Sequence, residues 1–310
     1  MTQSTHSSTI ASRTPSTPLL VAGLIALDGL YFVWARILHA YLPAMTAVVW
    51  YFMIASVQIM TFAAWRGKLQ WRTFAAHWWF FLLIGALVAT SSVINYYAIG
   101  FIDPGVGTLL AQIIVVYNLV LGVVWLKDKL SPAQVAGAAL CLLGVVIISF
   151  QPGEILRVGS FMVIGGTFLY ALHAAIVKKF GGDIEFIQFF VWRVLSTTLM
   201  IIIAVTITGQ WQVPTGIVWF WLFISATADV VISRALYYMA LRRLRISMHT
   251  LVLTLSPIMA ALWSILLFGI TPSPQQIIGG IAVIAGLSIV SLTRRGAASG
   301  QKNAIVSEPN

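Results

Sequence analysis

The chain has 310 residues, 60% of them hydrophobic and 8% charged, with a mean hydropathy of +0.95 and a formal charge of +10. A soluble domain carries about 25% charged residues and cannot hide this much apolar surface in one core, so a water-soluble globular protein is excluded. The Lys and Arg residues are scattered between apolar runs rather than gathered into a stripe with interleaved aromatics, which sets aside nucleic acid as a partner.

Residues 1–18, rich in Ser and Thr, read as a disordered tail. The apolar run from Pro18 to Ile37 is too long for the core of a cleavable signal, and no small-residue cleavage site follows it. It reads as the first span. A helix needs about 20 apolar residues to cross the hydrocarbon, and ten such runs lie near 19–38, 44–65, 78–100, 105–126, 132–150, 157–178, 187–208, 216–241, 247–268 and 274–293. Residues 294–310 form a second expected tail. The expected fold class is therefore all-α integral membrane.

Orientation follows from the basic residues. With the N-terminus inside, Arg13, Arg66, Lys68, Arg72, Lys127, Lys129, Lys178, Lys179, Arg242, Arg243, Arg245, Arg294, Arg295 and Lys302 all fall on the cytoplasmic side. Arg36 and Arg157 fall opposite, and Arg193 and Arg234 lie within spans. Both termini are expected in the cytoplasm, with the chain in the inner membrane. Tryptophans such as Trp71, Trp78, Trp79, Trp211, Trp219 and Trp221 suit interfacial anchors. Cys141, the one cysteine, sits inside a span and reads as a packing residue.

Sliding the chain by 142 residues aligns Trp50 with Trp192, Gly67 with Gly209, Tyr96 with Tyr238 and Thr108 with Thr250. The same offset aligns Pro132, Gln134, Gly137 and Gly144 with Pro274, Gln276, Gly279 and Gly286. Each copy holds five spans, over 19–150 and 157–293. Five is odd, so the second copy must enter the membrane from the opposite side. Inverted repeats of this kind recur in secondary transporters, with the substrate bound near the midplane where the repeats meet.

The segments YYAIGFIDPGVGTLLAQIIVVYNLVLGVVWLKDKLSPAQVAGAALCLLGVVIIS and YMALRRLRISMHTLVLTLSPIMAALWSILLFGITPSPQQIIGGIAVIAGLSIVS carry a resemblance to the drug/metabolite transporter superfamily, in particular its EamA-type members. The resemblance implies ten helices and transport of small organic solutes, often export. Family members often place an acidic residue in the turn between the last two helices of a repeat; Asp128 fits, whereas the second copy reads GITPSP. The Trp-Arg pair expected near the start of each repeat's second helix survives as Trp192-Arg193 but reads Trp50-Tyr51 in the first copy.

Ionisable side chains deep in a span are costly and are candidates for function. Asp28, about ten residues into the first span, would bind a cationic group, exchange a proton or pair with a neighbouring helix. Asp229 and Arg234 lie five residues apart on the eighth span, about 140° around an α-helix, which argues against a simple pair between them. Asp229 with Arg193, or Arg234 with Asp28, are open alternatives. Arg193 itself reads as a residue that snorkels to the cytoplasmic side. His173, which falls at the repeat position of Tyr31, would titrate near neutral pH or hold a structural hydrogen bond. Asn95, Gln112 and Asn118 offer amides, although Gln112 and Asn118 lie about 120° apart and cannot both face one narrow pocket. Tyr31, Tyr97, Tyr170 and Tyr238 are aromatics able to wall a cavity. Pro257 interrupts the ninth span and frees a carbonyl one turn earlier.

No nucleotide loop, metal motif or catalytic elbow occurs in the sequence. The expected protein is not an enzyme and needs no cofactor. Its partners are a small-molecule substrate and membrane lipids, with protons a candidate coupling ion and a monomer or homodimer the assembly. The leading reading is a secondary transporter exporting amino acids or similar polar metabolites by alternating access. A lipid or lipid-carrier translocase of the same architecture is the runner-up, and an intramembrane enzyme a more distant third.

Overall fold

A computed structural model describes residues 17–125, 127, 131–149, 158–182, 184–234, 236–237, 240 and 255–306. Every regular element among them is helical, as lipid requires of a chain whose backbone groups have no water to bond. The first repeat comprises α1 (Thr17–Asp28), α2 (Tyr31–His39), α3 (Ala44–Trp65), α4 (Trp71–Ala76), α5 (Trp78–Ala98), α6 (Pro104–Ala111), α7 (Ile114–Val124) and α8 (Pro132–Ser149). The second comprises α9 (Val158–Phe180), α10 (Phe186–Thr208), α11 (Val218–Ser225) running on as a π-helix (Ala226–Ser233), α12 (Ser256–Phe268) and α13 (Pro274–Val306).

Among the described residues, seven helical stretches are long and apolar enough to cross a membrane, and α1 and α2, bent by 42° at their junction, together bring the number up to eight when counted as one span. The shorter apolar stretches Val218–Ser233 and Ser256–Phe268 occupy the two remaining expected positions. The last apolar span ends at Leu292, and the residues expected as a tail continue it as helix to Val306. Outward faces carry Val57, Leu143, Ile207 and Leu266, a surface that lipid, rather than water, can cover. Trp71, Trp78, Trp79, Trp211 and Trp219 are exposed near helix ends, where interfacial anchors belong.

The closing helices reveal how the repeats are related. A methyl group at Gly137 would lie 2.8 Å from the Gly286 carbonyl oxygen, and one at Gly144 would lie 2.6 Å from that of Gly279. Each glycine therefore packs on the counterpart of the other. Two equivalent helices that contact in this crossed way run antiparallel. The repeats are inverted, and small residues let the two backbones touch.

The same symmetry recurs at the helix ends. Ser131 and Gln134 form a reciprocal capping box at the start of α8, and Ser273 with Gln276 repeats it before α13. Thr46 Oγ1 donates to the Gln210 carbonyl (2.7 Å), while Gln188, at the repeat position of Thr46, donates to the carbonyl of Lys68, the counterpart of Gln210. Each repeat thus fastens the start of its second helix to the loop after the other's second helix. One fastening lies at each end of the bundle.

Candidate functional site

Between the two fastenings, polar side chains gather on the helices that line the repeat interface. Tyr51 on α3 is 1% exposed and donates its hydroxyl to Asp229 Oδ2. Asp229 is itself buried. A carboxylate in that setting needs bonded or charged partners to offset its lost hydration, and Arg234 supplies the charge.

The π-helix brings these two residues to one side. In an α-helix residues five apart diverge by about 140°, the basis for expecting separate partners. Over Ala226–Ser233 the backbone instead closes its turns with i→i+5 bonds. Positions five apart then come onto the same side of the helix. Arg234 interacts electrostatically with Tyr170, Asp229, Asp28 and Tyr51. Both carboxylates act on the same guanidinium, Asp229 more strongly than Asp28, and among the described residues neither forms a direct ion pair with it.

Asp28 ends α1 at the bend and accepts a hydrogen bond from Ser256 Oγ at 2.5 Å. Ser256 opens α12, with Pro257 in its first turn, where the missing N–H leaves no intrahelical bond unmade. The bend of the first span meets the start of α12. A methyl at Gly29 would stand 2.8 Å from the Ser256 carbonyl oxygen. Trp263 Nε1 donates to the Ala26 carbonyl (3.1 Å), satisfying an acceptor in the last turn of α1.

The Tyr31 hydroxyl lies near Ser92 and Asn95, and its ring meets Tyr96 edge-on with centroids 5.9 Å apart. Tyr96 in turn lies 6.0 Å from Tyr51. Across the cluster, Arg193 donates from Nε to His173 Nε2 and from a terminal nitrogen to the Tyr170 hydroxyl, both at 3.2 Å. His173 accepts through Nε2, which leaves its proton to Nδ1. Arg193 therefore turns inward to bond its neighbours, where the sequence suggested a side chain reaching for the surface.

Asp28, Tyr31, Asn95, Tyr170, His173, Asp229, Arg234 and, through its first turn, Pro257 thus belong to one neighbourhood. Tyr97 does not: its hydroxyl donates to Gln210 Oε1 (3.1 Å) at the outer fastening. Gln112 sits at the break between α6 and α7, with its backbone carbonyl facing Cys141. Asn118 is half-buried on α7, beside Tyr117, which bonds the Ile164 carbonyl. Tyr238 lies outside the described residues, as do Asp128 and His249.

Tyr51 and Arg193 are the members that the sequence reading did not select. The repeat offset was the available signal. It places Tyr51 at the position of Arg193, Tyr31 at that of His173, and Asp28 at that of Tyr170. The same three positions in each repeat line the centre with different chemistry.

Residues 16–150 and 157–292 each match the EamA-like transporter family. The chain belongs to that family. Membership makes it a transporter of small solutes of the drug/metabolite type, built from two EamA repeats in an all-α membrane fold. Among solved structures, a crystal structure titled "Crystal structure of protein" superposes on 91% of this chain and 98% of its own, with a TM-score of 0.64 and 16% identity. At that identity it establishes the fold alone. No functionally curated protein matches the sequence. Within the EamA architecture, the central cluster spans both repeats: Asp28, Tyr31, Tyr51 and Asn95 come from the first, and Tyr170, His173, Arg193, Asp229 and Arg234 from the second.

Proposed function

We propose that this EamA-family protein exports amino acids or similarly small polar metabolites across the inner membrane by alternating access. The observation that carries the reading is the convergence of Asp28, Asp229 and Arg234 with buried tyrosines where the two repeats meet. Two carboxylates and two guanidiniums, counting Arg193, balance formally. Such a site suits a solute of no net charge that carries polar groups of both signs. The tyrosine rings add apolar walls with hydroxyl tips.

Alternating access is supported by the fastenings at the two ends. Thr46 with Gln210 and Gln188 with Lys68 are repeat-equivalent, so opening one while the other holds gives two states related by the pseudo-two-fold axis of the repeats. The end carrying Lys68 is assigned to the cytoplasm from its Lys and Arg content. Asp28, Asp229 and His173 are the candidate proton carriers; flux that ignores an imposed pH gradient would remove them from that role.

The test is counterflow in proteoliposomes preloaded with individual amino acids, nucleobases, vitamins or organic cations. The proposal expects uptake of labelled amino acid into vesicles loaded with the same amino acid, and its loss in Asp229→Asn and Asp28→Asn. Uptake confined to another class would replace the substrate assignment. Flux unaffected by both substitutions would remove the central cluster as the substrate site.

A further inference from the structure

Charge is unevenly shared within the central cluster. Arg234 interacts with two carboxylates, those of Asp229 and Asp28. Arg193 has neutral hydrogen-bond partners instead: the His173 ring nitrogen and the Tyr170 hydroxyl. Among the described residues no carboxylate lies within ion-pair reach of it. An arginine within a span costs about 2.5–3.5 kcal/mol on insertion scales, and neutral partners restore only part of its lost hydration. Tyr170 joins the two regions, since it bonds Arg193 and interacts with both Arg234 and Asp229. One side of Tyr170 thus holds two carboxylates against one guanidinium, and the other holds a guanidinium with no anion.

The repeat sharpens the contrast. Tyr51, at the equivalent position, bonds a carboxylate of the protein itself, Asp229. Arg193 presents a stronger, bidentate donor at that position without such an acceptor. His173 holds the guanidinium through Nε. These two bonds do not exhaust the donors of Arg193, because a guanidinium carries five N–H groups.

Resting on the reading of a small polar solute at this site, we propose that Arg193 is the carboxylate anchor of the substrate. The substrate is then a zwitterion, with its ammonium group on the Asp28 and Asp229 side of Tyr170. His173 and Tyr170 are positioning residues that aim the guanidinium. Arg193 decides specificity: it separates an amino acid from the amine that lacks its carboxylate.

The experiment is a thermal-shift and binding series on the purified full chain. The probes are the L-amino acids, the amines in which hydrogen replaces the carboxylate, and the desamino acids. At least one amino acid is expected to stabilise the wild type, with its amine about tenfold weaker or more, as a lost charge-assisted bond implies. Arg193→Gln is expected to weaken that amino acid by about tenfold or more and to bring acid and amine to similar affinity. Arg193→Lys, which keeps the charge but not the fork, should retain part of the preference and serves if the glutamine variant does not fold. Unchanged binding in Arg193→Gln alongside loss in Asp229→Asn would overturn the anchor while leaving the central site standing. Equal wild-type affinity for acid and amine would also overturn it and point to a cationic substrate. A wild type indifferent to the whole panel would refute the amino-acid reading itself, and the anchor with it.

Discussion

Ser56 and Thr198 hydrogen-bond through their hydroxyls at 2.6 Å, and they are the same position in the two repeats. A contact between equivalent residues lies on the axis that relates the repeats. Thr198 also has the Val194 carbonyl 2.9 Å away as an acceptor, so Ser56 is the donor in the pair. The crossing of α3 and α10 is thus held near its centre by a polar contact, with the Phe52 carbonyl of α3 a further acceptor 3.3 Å from Thr198 Oγ1.

Removing that contact should be modestly destabilising. Ser56→Ala and Thr198→Val are each expected to cost about 0.6 kcal/mol, the average for interhelical bonds within membranes. The double variant should cost less than the two single effects combined, because both delete the same bond. Equilibrium unfolding in detergent checks this; full additivity would show that the hydroxyls act independently.

The closing-helix contact should be far less tolerant. A methyl at Gly286 would lie 2.5 Å from the Gly137 carbonyl oxygen, backbone against backbone. Gly286→Ala and Gly144→Ala must push α8 and α13 apart and are expected to cost about 1–3 kcal/mol each, as overpacking does. Gly165→Ala, on the helical Gly165 with nothing within 4 Å of the added methyl, is the control and should gain up to about 1 kcal/mol. Melting temperatures that fail to separate the two groups would contradict the close approach.

Lys127 has a φ of 59°, the left-handed conformation, and its repeat counterpart is Gly269 at 66°. A side chain in that region is strained by about 1–2 kcal/mol. Lys127→Gly is expected to stabilise the protein by about 0.5–1 kcal/mol after the added freedom of the unfolded chain is counted. Thermal unfolding reads the sign directly, and a loss of stability would mean that the lysine side chain matters more than its backbone.

Lys68 and Glu185 form an ion pair at 2.9 Å, each side chain nearly half exposed. Water and salt screen such a pair, so Glu185→Gln should cost well under about 1 kcal/mol. The Gln188 bond to the Lys68 carbonyl joins the same two loops through a buried side chain. Gln188→Ala should therefore be the more damaging of the two, by about 1 kcal/mol or more. An unfolding series at low and high salt separates them: the glutamate effect should fade with salt and the glutamine effect persist.

Hydropathy, the bias of Lys and Arg and the offset of 142 residues were enough to establish an all-α membrane protein with an inverted duplication. They suffice because lipid leaves the backbone no alternative to helices, and because an odd number of spans forces inversion. The glycine positions Gly137, Gly144, Gly279 and Gly286 were legible because they recur at one fixed offset. The centre was legible only as a set of candidates. Asp28, Tyr31, His173 and Asp229 stood out by their cost in lipid, but the direction each faces depends on helix packing. Only the tertiary structure decided that Tyr51 holds Asp229, that Arg193 turns in to His173, and that Gln112 and Asn118 stay apart from the cluster. The π-helix is the clearest instance. Its i→i+5 turns rotate Arg234 onto the side of Asp229, a change of backbone pitch that no α-helical spacing rule applied to the sequence could anticipate.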